Sequence, residues 1–78
     1  MEKPVFVPMQ LSQRHASALL EQLRQQFRQQ MQELWWSDDF ARVPETERLN
    51  SIITSRPHMT AQRIAIGALK AAINTAAR

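Results

Sequence analysis

His15 and His58, the adjacent carboxylates Asp38 and Asp39, and the near pair Glu45 and Glu47 are the side chains of this 78-residue chain suited to proton transfer or metal ligation. General acid–base work needs such groups gathered in a water-poor pocket, and a chain of this size has little room for one. The two histidines fall in different segments, outside any HExxH pattern, and a single glycine cannot build a phosphate-cradling loop. A metal site from His15, His58 and the Asp38/Asp39 pair lacks the close spacing that sets ligands on one helix face. The acidic residues have a simpler use at helix starts, where negative charge meets the positive end of the dipole. Glu45 and Glu47, two apart, also diverge on a helix. The sequence therefore predicts no enzyme: no catalytic residue, metal, cofactor or small-molecule substrate.

Binding chemistry is better represented. Arg63, Gly67, Lys70 and Asn74 follow one another at helical spacing and share one polar stripe. Glycine in such a stripe lets a phosphate backbone come close, and Gln62 and Arg63 are types that read adenine and guanine edges. Arg24 and Arg28 supply further cations, and Thr60 with the amides after it could hold a phosphate. Two cations and an asparagine are equally an ordinary solvated helix face. Nucleic acid is accordingly the second expectation, in the form of a small DNA-binding transcriptional regulator. Neither a helix-turn-helix nor a ribbon-helix-helix order is matched: the link from Arg56 to Thr60 reads as too long and lacks glycine, while Pro8 disrupts the strand.

The first expectation is a protein interface. Ala16, Leu20, Leu23, Phe27, Met31 and Leu34 recur every three or four residues and form one apolar stripe, continued by Trp35 or Trp36 but not both. Such a stripe is either an internal core face or a seam for another helix. A helix over 13–36 spans roughly 36 Å at 1.5 Å per residue, more than either shorter companion can shield. Phe6, Leu20, Leu23, Phe27, Met31, Leu34 and Trp35 are therefore the expected interface, giving a homodimer or a complex with a partner protein. The function that follows is a non-enzymatic adaptor, inhibitor or regulatory subunit.

Behind these residues stands an all-α, three-helix domain with an extended N-terminal arm. Residues 1–11 contain Pro4 and Pro8, which deny backbone donors, and Val5, Phe6 and Val7, which are too apolar to stay in water; they should lie across a helix of this chain or of a partner. Residues 12–78 form the domain. Ser12 is a good cap for a helix over about 13–36 whose outer side is filled by Gln22, Gln25, Gln26, Gln29 and Gln32. A turn or short helical piece follows through Phe40 to Arg42. Pro44 opens a helix over about 44–55 with Leu49, Ile52 and Ile53 inward. Arg56, Pro57 and His58 should end it, with Thr60 capping a last helix over about 61–76. On that helix Ala61, Ile64, Ala65, Ala68, Ala72 and Ala76 form one expected packing face, flanked by Ile66, Leu69 and Ile73.

Length and charge agree with this reading. A chain this short has a marginal core, and without cysteine it has neither disulfides nor thiolate metal sites, leaving association as support. The net charge of +3 is concentrated at the end, because no acidic residue follows Glu47. The absence of a signal-like apolar stretch and of any 20-residue apolar run predicts a soluble, non-membrane protein, and the lack of cysteine fits a cytoplasmic setting.

Overall fold

The computed structural model describes residues 2–77 as three helices: α1 (Gln13–Trp35), α2 (Glu45–Ser55) and α3 (Pro57–Ala76). No strand occurs among these residues, and the all-α three-helix class expected from the sequence is observed. Ser12 is the N-cap of α1; its extended backbone (φ −62°, ψ 156°) lets Oγ accept from the His15 amide at 3.1 Å. After Trp35 the chain passes through successive turns, in which the amides of Ser37, Phe40 and Val43 each bond the carbonyl three residues back. These tight turns swing the Phe40 side chain into the core. Asp38 and Asp39 start no helix there; Asp39 instead lies 3.7 Å from Arg56. Pro44 then precedes α2, whose first turn holds Glu45 and Glu47.

The largest departure from expectation is at Pro57. Rather than ending α2 with a loop to a cap at Thr60, the chain turns through Arg56 alone and Pro57 is the first residue of α3. The physical cause is local. A residue before proline is pushed to extended geometry, and Arg56 has φ −124° and ψ 92°. Proline's fixed φ and missing N–H then suit the first helical position. Thr60 caps nothing; its hydroxyl donates to the Ile53 carbonyl at 2.8 Å and clips α3 to the end of α2. At 20 residues α3 is about 30 Å long, against about 34 Å for the 23 residues of α1. The premise that no companion helix can run along α1 is therefore corrected.

α3 returns antiparallel to α1. Met59, near its start, packs with Phe40 and Ile52 against Phe27, Met31, Leu34, Trp35 and Val43, while Arg63 and Ile66 come opposite residues 21–28. The core thus sits at the end where all three helices meet, and among the described residues only Ile52 and Met59 are completely enclosed. Ala16 and Leu20 are buried further along α1, towards its start. The inward side of α3 is Met59, Gln62, Ala65, Ile66, Leu69 and Ile73; Ala61, Ile64, Ala68, Ala72 and Ala76 are exposed. The alanine face expected to pack is turned to solvent apart from Ala65, and the larger flank does the packing, because one row of alanines leaves a void against α1 that isoleucine and leucine fill.

The result is thin and elongated, 44 × 30 × 17 Å, with a radius of gyration of 14.9 Å. A compact domain of this length would have about 11.5 Å. The difference reflects a flat helical layer and an arm that does not fold back.

Candidate interaction surfaces

Arg24 and Arg28, one turn apart on α1, and Arg63 on α3 line a single open groove of about 600 Å³ together with Glu21, Phe27 and Ile66. The antiparallel return of α3 brings them together, since nothing in their spacing along the chain links residue 63 to residues 24 and 28. Glu21 lies 3.9 Å from Arg28, both side chains being largely exposed, and also accepts from Gln25 at 3.4 Å. Arg24 and Arg63 meet no carboxylate within ion-pair distance among the described residues. The groove therefore has an apolar floor and an excess of positive charge. Lys70 and Asn74 are exposed farther along α3, outside the groove lining. Gln62 is half-buried, outside the groove lining, and its amide oxygen is buried without a partner.

The residues expected to form a protein interface separate into three groups. Leu20 is buried within the chain. Leu23, Phe27, Met31, Leu34 and Trp35 are half-buried, the last four against the three-helix core, so this stripe is mostly an internal face with an exposed margin. Phe6 is 87% exposed, and Val5, Val7 and Met9 are 84%, 69% and 61% exposed. The arm does not lie across any helix of its own chain. Of the two tryptophans, Trp35 packs inward and Trp36, at 73% exposure, faces out.

The residues suited to catalysis stay apart. His15 and His58 are exposed in the first turns of α1 and α3. No group of three or more His, Asp or Glu side chains placed to hold a metal ion occurs among the described residues. A second, shallow depression of about 400 Å³ on α2, lined by Glu47, Asn50, Ser51, Thr54 and Ser55, gathers a single carboxylate with neutral side chains. None of the described helices is long and apolar enough to cross a membrane.

No known protein family, curated protein or solved structure matches this chain.

Sequence reasoning missed Arg48. It is buried in α2 with no carboxylate partner among the described residues; Nε and Nη2 donate to the Val43 carbonyl at 3.1 and 2.9 Å, Nη1 to Trp35 at 3.4 Å and Nη2 to Ala41 at 3.4 Å. One side chain thus fixes both ends of the turn segment that carries Trp36 and Phe40. Only the rarity of a buried, unpaired arginine identifies it, and that is invisible in a sequence.

Proposed function

We propose that this chain is a non-enzymatic helical interaction module, of the adaptor, inhibitor or regulatory-subunit type, that self-associates by laying its N-terminal arm on a second copy. The supporting observation is the arm itself: an extended segment, interrupted by Pro4 and Pro8, that holds Val5, Phe6, Val7 and Met9 in water. Contiguous exposed apolar surface of this kind marks an interaction site. In an extended chain Val5 and Val7 point to one side and Phe6 to the other, so the arm can fill a cleft from both faces.

Magnitudes favour a reciprocal arrangement. Burying four such side chains is worth about 1.5–3 kcal/mol each, or roughly 6–12 kcal/mol for one arm, while association costs about 4–15 kcal/mol in lost freedom. One arm leaves little surplus. Two arms exchanged about a two-fold axis double the gain for a single association cost. The exposed margin of the α1 stripe beyond the groove, at Met31 and Leu34, is the surface offered to the partner's arm.

Light scattering or native mass spectrometry tests this. The expected mass is roughly twice the 9.0 kDa of the chain. Phe6→Asp should return it to a monomer with unchanged helix content, because Phe6 is exposed in its own chain. A monomer at every concentration, or a dimer indifferent to Phe6→Asp, would end the proposal.

A further inference from the structure

We infer that the groove between α1 and α3 grips the phosphate backbone of duplex DNA through Arg24, Arg28 and Arg63, with Lys70 extending the contact along α3. This goes beyond self-association and does not depend on the arm.

Placing Arg24 and Arg28 on adjacent turns of one helix face sets like charges side by side, which is unfavourable in the free protein. α3 adds a third guanidinium to the same groove, while Glu21 is the only carboxylate in its lining and lies against Arg28. Arg24 and Arg63 are left uncompensated, and an anion seated between them relieves the repulsion. The planar, weakly hydrated guanidinium presents a fork of donors matched to phosphate oxygens, which the strongly hydrated point charge of a lysine does not.

Two further features select a duplex backbone. Single strands are held by stacking bases on exposed aromatic rings, but Phe27 is the half-buried floor of the groove and the exposed rings of Phe6 and Trp36 lie outside its lining. The flank of α3 between Arg63 and Lys70 is slim: Gly67 has nothing within 4 Å of where a Cβ would stand, and Ala68 and Ala71 beside it are exposed. About 10.5 Å of helix separates Arg63 from Lys70, and seven residues bring them back to the same side of α3, so the two cations can reach different phosphates of one strand. A strand can therefore rest against the helix backbone with a cation at each end.

Fluorescence anisotropy with a short labelled DNA duplex and the full chain provides the test. With three or four phosphates engaged, affinity should fall about 40-fold to 150-fold between about 50 and about 200 mM salt. Arg24→Gln and Arg63→Gln should each weaken binding several-fold and reduce the logarithmic salt slope by about one, with helix content intact. Arg42→Gln removes an exposed cation from the loop before α2 and should change neither quantity appreciably. Phe6→Asp should leave duplex binding in place, which separates this inference from the self-association reading. Absence of binding at low salt, equal losses from Arg42→Gln and Arg63→Gln, or equally tight binding of the single strand would overturn it.

Discussion

The guanidinium of Arg48 lies 5.0 Å above the ring of Trp35 and donates Nη1 to the carbonyl of the same residue at 3.4 Å. Its remaining donors hold Ala41 and Val43. A helix end, a turn segment and the next helix are thereby joined through one side chain, which in a domain with so few buried residues is a large share of its cohesion.

Arg48→Ala should accordingly lower stability by about 2–4 kcal/mol, since charge-assisted hydrogen bonds are lost and the loop carbonyls are left without donors. Arg48→Lys should recover only part of this, because one ammonium cannot stack on Trp35 and reach three carbonyls at once. Urea midpoints of the three proteins provide the measurement. Equal midpoints would mean that the turn segment holds its shape without the guanidinium.

The choice of packing face on α3 is testable by truncation. Met59 is fully buried, whereas Ile64 is 68% exposed. Met59→Ala should cost about 2–5 kcal/mol through lost contacts and a residual cavity. Ile64→Ala should stay within about 0.5 kcal/mol. A large loss at Ile64 in the isolated chain would show that the alanine face packs inward after all.

Gln30 and Gln62 each bury an amide oxygen that has no hydrogen-bond partner. Replacing such a group by an apolar one of similar size removes a desolvation cost of about 1–3 kcal/mol. Gln62→Leu should therefore raise the thermal midpoint, at about 4–8 °C per kcal/mol for a domain of this size. It should leave duplex binding unchanged, since the amide oxygen faces inward. A lowered midpoint would indicate a donor that reaches the oxygen in solution.

Phe6 and Phe27 should behave oppositely. Phe27 packs against the three-helix core and floors the groove, so Phe27→Glu places a charge in an apolar contact and should reduce helix content in circular dichroism at any protein concentration. Phe6→Asp should change only the mass. If Phe27→Glu kept full helix content, the stripe would be an external seam instead of a core face.

Much of the architecture could be read from local rules. Ser12 caps α1 because a hydroxyl in extended geometry meets free amides, and the 16–34 stripe follows from a spacing of three and four. At Pro57 local rules point two ways, because proline stops a helix in its interior and starts one at the first helical position, and here it starts α3. That one choice lengthens α3 and turns the α1 stripe from an uncovered seam into a mostly covered face.

By itself the sequence determined the number of helices, the cap and opening of α1 and the exposed polar side of glutamines, because each depends on a few neighbouring residues. Tertiary structure decided which side of α3 packs, since alanine and isoleucine occur around much of that helix and only the shape of α1 opposite discriminates between them. It also decided the burial of Arg48 and the meeting of Arg63 with Arg24 and Arg28. Those outcomes depend on where a returning helix lands, a long-range packing choice that no local pattern encodes.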